Sequence, residues 1–175
     1  MKTSTFVALL GFGFALIQLL LLCNPKSLQK FPRSFAWGLV LMLLGTGWFV
    51  YNVNNETISD FAAYKNLMMF GFAAVGILTC IFVQDFLAVR GLAVVLLLLA
   101  SFTLNAVRWT DTPWRRLVAL WAYTWIIGAM WVTVSPWRLR DYINWMTASQ
   151  FRFRIISGIS IAFGLFVGIL GLSVF

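Results

Sequence analysis

"TFVALLGFGFALIQLLLLCNPKSLQKFPRSFAWGLVLMLLGTGWFVYN", residues 5–52, holds two uncharged apolar runs joined by a linker with two prolines and three cations, Lys26, Lys30 and Arg33. Each run is close to the ~20 residues that a helix, rising about 1.5 Å per residue, needs to cross a hydrocarbon core about 30 Å thick. The runs do not alternate as barrel strands do, and a helix satisfies its own backbone hydrogen bonds inside lipid. The same pattern recurs to the end of the chain. Apolar windows at 5–23, 35–52, 67–84, 91–107, 117–134 and 155–174 predict about six membrane-crossing helices.

Composition points the same way. The 175 residues are 62% hydrophobic and 10% charged, with a mean hydropathy of +0.91, whereas soluble domains carry about 25% charged residues. Six crossings leave almost nothing for a soluble domain, so residues 1–175 read as one integral membrane domain, an all-α polytopic bundle. The first window follows a single Lys2, exceeds a usual signal-peptide apolar region and has no A-x-A-like site before Asn24. It reads as a retained helix.

Charge placement sets the expected orientation. With the N-terminus outside, the inner loops carry Lys26, Lys30, Arg33, Arg90, Arg138, Arg140, Arg152 and Arg154, while the outer segments carry Lys2, Lys65, Arg108, Arg115 and Arg116. Eight basic residues against five favours both termini outside, by the rule that short cytoplasmic loops are richer in Lys and Arg. Subtracting Asp85 and Asp141 from the inner eight leaves +6, and subtracting Glu56, Asp60 and Asp111 from the outer five leaves +2. The net +8 therefore reads as topology and contact with anionic headgroups, not as nucleic-acid binding.

The last linker, "SPWRLRDYINWMTASQFRFR" at residues 135–154, repeats the character of the first. Ser135 is placed to cap a short helix that Pro136 begins, because proline lacks an N–H where none would be bonded. On a helical wheel Leu139, Tyr142, Ile143 and Met146 share one face, and Arg138, Arg140, Asp141, Asn144 and Thr147 occupy the rest. That is the pattern of an amphipathic interfacial helix. Trp137 and Trp145 suit headgroup depth, and Arg138, Arg140, Arg152 and Arg154 suit contact with lipid phosphates or a partner. A simple anchor that fixes topology accounts for the same residues.

"NPKSLQKFPRSFAWGLVLMLLGTGWF" and "SPWRLRDYINWMTASQFRFRIISGISIAFGLFVGILGL" share an order: a capping residue with Pro, a basic and apolar stretch, Arg, then a Gly-bearing helix. An internal duplication leaves this pattern, and apolar low-complexity sequence also produces it by chance. The second unit, "SPWRLRDYINWMT" followed by Arg152 or Arg154 and "SGISIAFGLFVGILGL", resembles the small two-helix bacterial inner-membrane proteins of the YjeT type. The resemblance covers about the last third of the chain, and more faintly the first; roughly 54–111 has no counterpart. It implies a bacterial inner-membrane setting and a hairpin architecture, and carries over no functional residue.

Residues able to support catalysis or hold a metal are scarce. The chain has no His, which removes the commonest general base, zinc ligand and haem ligand. Cys23 and Cys80 stand alone near the inner ends of their helices and read as reduced, small buried hydrophobes. The acids Glu56, Asp60, Asp85, Asp111 and Asp141 are scattered; Glu56 and Asp60 at i and i+4 read as a solvated pair. Neither a phosphate-binding glycine loop nor a zinc-protease motif occurs, and "GFG" at Gly11 is an apolar helix fragment. "NET" at Asn55 is a glycosylation sequon that matters only in a eukaryotic host. No enzyme and no cofactor are expected. None of the thirteen basic and five acidic residues lies within the six windows, which argues against proton- or sodium-coupled transport.

Amides and glycines speak to packing. Gln18 and Asn105 sit at depth and can hydrogen-bond between helices, and Asp85 and Arg90 flank a short turn where they can pair. Thr112 and Pro113 are expected to cap and begin the fifth crossing. In the sixth, Gly158, Ala162, Gly164, Gly168 and Gly171 predict close helix contact, and in the second, Gly38, Gly45 and Gly47 do. The contact is expected within the chain, with another membrane subunit or with a second copy. The expected function is a non-catalytic accessory or scaffold subunit of a bacterial membrane protein complex. A small channel or carrier for a lipidic or uncharged molecule is the alternative.

Overall fold

A computed structural model describes residues 3–55 and 64–174. Lys2, Glu56, Asp60, Phe175 and most of the "NET" sequon lie outside the described residues. The elements of the described residues are all helical: α1 Thr3–Cys23, α2 Pro25–Lys30, a 3-10 turn Phe31–Arg33, α3 Phe35–Asn55, α4 Lys65–Phe82, α5 Leu87–Val107, α6 Arg115–Val134, α7 Pro136–Thr147 and α8 Gln150–Ser173. Six of these, α1, α3, α4, α5, α6 and α8, are long and apolar enough to cross a membrane.

The long helices extend past the apolar windows where a cation opens them. Arg90 falls in the first turn of α5, Arg115 and Arg116 begin α6, and Arg152 and Arg154 lie in the first turns of α8. Long basic side chains permit this, because the stem lies along apolar surface while the charged head reaches toward water. Asp85 and Arg90 do not pair; the Nε of Arg90 is buried without a hydrogen-bond partner. The turn between α4 and α5 instead depends on Phe86, which adopts left-handed backbone angles of φ 56° and ψ 29°. That conformation costs a side-chain-bearing residue about 1–2 kcal/mol, and the burial of Leu87, Ala88 and Val89 immediately after it holds the turn in place.

Central α5 packs against α3 on one side and α6 on the other, while α4 rests on α3. Small residues set these approaches. A methyl group at Gly38 would stand 2.7 Å from the Ala88 nitrogen, and one at Gly91 would stand 2.9 Å from the Met42 nitrogen. Met42, Cys80 and Leu87 form the core between α3, α4 and α5. A second core of Val7, Val107, Val118, Trp121 and Val167 joins α1, α5, α6 and α8.

The first and last helices form the longest pairing. Gly171 lies against Ala8, Gly168 against Gly11 and Phe12, and Gly164 against Ala15, so α1 and α8 run antiparallel. A Cβ on Gly11 would overlap the Gly168 backbone, and one on Gly164 would stand 3.0 Å from the Ala15 nitrogen. Lipid is as apolar as a side chain, so helix contact there depends on close van der Waals packing, which the missing Cβ atoms permit. The antiparallel pairing brings Thr3 and Val174 to one end of the bundle, where the Thr3 hydroxyl donates to the Ala106 carbonyl at 3.3 Å. Gly158, Ala162 and Gly47 take no part. Gly158 and Ala162 are exposed, and a Cβ at Gly158 or Gly47 would meet open space.

Candidate functional site

At the end of the bundle away from the termini, the two basic linkers meet. Pro25 and Pro136 stand in the first turns of α2 and α7, where a missing N–H leaves no helical bond unmade. The two starts are alike: the Asn24 carbonyl accepts the Ser27 N–H at 3.1 Å and the Ser135 carbonyl accepts the Arg138 N–H at 3.1 Å. Neither Asn24 nor Ser135 makes a side-chain capping bond, contrary to the expectation for Ser135; proline and the carbonyl turn start the helix instead. Thr112 likewise caps nothing. Helix α6 begins at Arg115, whose N–H is accepted by the Thr112 carbonyl at 3.1 Å, and the Thr112 hydroxyl is buried without a partner.

Helices α2 and α7 touch, and Gln29 Nε2 donates to Thr147 Oγ1 at 2.9 Å. Beside this bond lies a groove of about 570 Å³, floored by Leu22 and Phe153 and rimmed by Lys26, Gln29, Thr147, Gln150 and Arg154. Residues far apart in sequence thus supply two cations and three neutral polar groups to one space. Lys26 and Arg154 face the groove, and neither pairs with a carboxylate among the described residues, whereas Arg140 pairs with Asp141 at 3.0 Å.

The apolar stripe of α7 turns toward the protein rather than away from it. Ile143 is 4% exposed and Met146 9% exposed, Leu139 is half-buried, and Tyr142 is exposed and stacked on Trp145 at 6.1 Å. The exposed side chains of α7 include Trp137, Tyr142 and Trp145 instead. The expected lipid-facing surface is therefore an aromatic band, because an apolar stripe packs equally well on a neighbouring helix.

The six basic and aromatic residues singled out in the sequence divide among separate contacts. Arg138 lies over the Trp131 ring at 5.5 Å, Arg152 over Trp145 at 4.7 Å, Arg140 pairs with Asp141, Trp137 is exposed, and Arg154 lines the groove. Arg152 also donates to the Trp145 carbonyl at 3.3 Å. Sequence reading passed over Lys26, Gln29 and Gln150 as groove residues; the shared Pro-led linkers were the signal that pointed to them.

Gln18 and Asn105 make no side-chain hydrogen bond among the described residues, contrary to expectation. Cys80 is buried, whereas Cys23 is exposed at the end of α1. Among the described residues no three His, Cys, Asp or Glu gather as metal ligands would. Comparisons with protein families, with curated proteins and with solved structures give no match.

Proposed function

We propose that the chain is a non-catalytic accessory or scaffold subunit of a bacterial membrane assembly, and that it meets an acidic segment of a partner protein at the α2–α7 groove. The observation that supports this reading is the pair Lys26 and Arg154, brought from opposite halves of the chain to a polar groove with no carboxylate of their own. Charged pairs of this kind add on-rate and register to an association whose bulk contact is made elsewhere. The bacterial inner-membrane setting rests on the resemblance of the last third of the chain.

The positive-inside bias puts the groove in the cytoplasm, with both termini outside. Trp109 is 84% exposed in the turn at the termini end. In intact cells, Trp109→Cys in a background lacking Cys23 and Cys80 should react with an impermeant thiol reagent, whereas native Cys23 should react only after lysis. The reverse pattern would invert the orientation.

Mild-detergent extraction followed by native sizing and mass spectrometry tests the assembly itself. The expected result is a hetero-complex that Lys26→Glu with Arg154→Glu weakens roughly tenfold or more, since like charges now meet an acidic partner. A self-contained monomer or homo-oligomer, unchanged by the reversal, would reject the subunit reading in favour of a channel or carrier.

A further inference from the structure

A second basic cleft, at the end of the bundle that carries the termini, is unrelated to the groove. It occupies about 380 Å³ between the last turns of α5 and the first turns of α6. Arg108, Arg115 and Arg116 line it with Asn105 and Tyr123, and Leu104 and Ala119 give it apolar walls. The tight turn between the helices makes the cluster, since Arg108 ends one helix and Arg115 begins the next.

Two of the three guanidinium groups are held in place. Arg115 Nη1 donates to the Thr110 carbonyl at 3.0 Å, and Arg108 lies over the Trp109 ring at 5.3 Å. Arg116 has no hydrogen-bond or charged partner among the described residues, and Asp111 in the same turn pairs with none of the three. Three like charges converging without a counter-charge repel one another, so an anion entering the cleft gains from all of them at once.

The shape narrows the anion further. From Arg116 to Tyr123 is seven positions, about 10 Å along a helix axis, and over that length the walls pass from guanidinium groups to apolar side chains. A free anion has no use for the apolar part, whereas a lipid places its phosphate at the rim and the start of its acyl chains below. Basic pockets between membrane helices on the cytoplasmic side take anionic headgroups in this way, and the same pairing of guanidinium with phosphate serves a cleft at the termini end. We propose that the α5–α6 cleft binds the headgroup of an anionic phospholipid, with Arg108 and Arg116 as phosphate ligands, Arg115 as a fixed donor and Tyr123 beneath them.

The full-length protein in mild detergent would be titrated with short-chain phosphatidylglycerol, a diphosphatidyl lipid and phosphatidylcholine, and bound lipid counted by native mass spectrometry. Inorganic phosphate and glycerol 3-phosphate would be tested separately by thermal shift. The expected result is saturable binding of the anionic lipids that weakens by roughly tenfold or more in Arg108→Gln with Arg116→Gln, two cations lost at one headgroup. Lys30→Gln with Arg33→Gln, at exposed positions at the other end, should leave it unchanged. Those two pairs of substitutions remove equal charge from exposed positions, so they separate a site from general attraction, and circular dichroism checks that both variants are helical. Equal binding by the Arg108 and Arg116 variant, equal binding of phosphatidylcholine, or an equal loss in the control would overturn the proposal. Saturation by inorganic phosphate or glycerol 3-phosphate at the same concentration as by lipid would overturn the lipid assignment.

Discussion

Leucine at Gly11 or at Gly168 should loosen the closure of the bundle and lower its stability, most at Gly11. A Cβ at Gly11 meets the Gly168 backbone, which leaves a leucine side chain no volume, and one at Gly168 meets the Phe12 ring at 3.0 Å, so a leucine there must displace that ring from the α1–α8 contact. Overpacking a well-filled core costs about 1–3 kcal/mol, and the upper part of that range or more is expected at Gly11, where the obstacle is backbone that no rotamer change can move. Thermal unfolding in detergent, followed by circular dichroism or by reactivity of the buried Cys80 thiol, would read the loss. Gly158→Leu is the matched control on the same helix. Its side chain would enter open space, and its stability should stay within about 0.5 kcal/mol of the parent, as for substitutions at exposed positions. Equal damage from Gly158→Leu and Gly168→Leu would mean that close approach to α1 does not carry the effect, since leucine has the higher helix propensity at both positions.

Trp121→Ala should come next in severity. Trp121 is 8% exposed, and its indole makes edge-on contacts with Phe14 of α1 at 5.2 Å, Trp125 of α6 at 4.5 Å and Phe163 of α8 at 5.3 Å. It is the aromatic hub of the core that joins the α1–α8 pair to α6, beside the direct contact of Phe6 on α1 with Phe102 on α5 at 4.8 Å. Removing a buried aromatic ring leaves a cavity at a cost of about 3–5 kcal/mol in water-soluble cores. In lipid the transfer part shrinks, since the unfolded reference is also apolar, and packing with aromatic contacts of about 0.5–1.5 kcal/mol each supplies the rest. A loss of about 3 kcal/mol is therefore expected, with Trp121→Phe recovering part of it. Tyr123→Ala, two positions along on an exposed face, should change stability far less.

The crossings were legible because hydrocarbon thickness fixes the length of an uncharged run, and such runs leave little choice of conformation. The faces were harder to read. Gly164, Gly168 and Gly171 repeat at three- and four-residue spacing and share one side of α8, but Gly158 lies six residues before Gly164, about 240° around the helix, and points elsewhere. Their counterpart on α1, Ala8, Gly11 and Ala15, has the same spacing in plain view, yet "GFG" alone reads as filler because pairing is a property of two helices. In α7 the wheel correctly separated Ile143 and Met146 from the charged residues, but an apolar stripe does not reveal whether lipid or protein will cover it. Arg108, Arg115 and Arg116 counted in the sequence only as outer charges. The tightness of the α5–α6 turn, which depends on three-dimensional packing, turned them into one cleft.

The antiparallel closure of α1 on α8 underlies the rest, since it fixes both termini at one end and brings Lys26 and Arg154 to the other. Cysteines at Phe12 and Gly168, in a background lacking Cys23 and Cys80, address it directly. The Phe12 ring lies against the Gly168 position at 3.0 Å, so replacing the ring leaves room for the two thiols, within the reach of a disulfide whose Cβ atoms stand about 3.5–4.5 Å apart. Oxidation of membranes from cells should form that bond within one chain, visible as a reducible shift in the mobility of the monomer, while Phe12→Cys with Ile169→Cys, one position further around α8, should stay reduced. A bond formed only between two chains, or equal oxidation of both pairs, would contradict the closure.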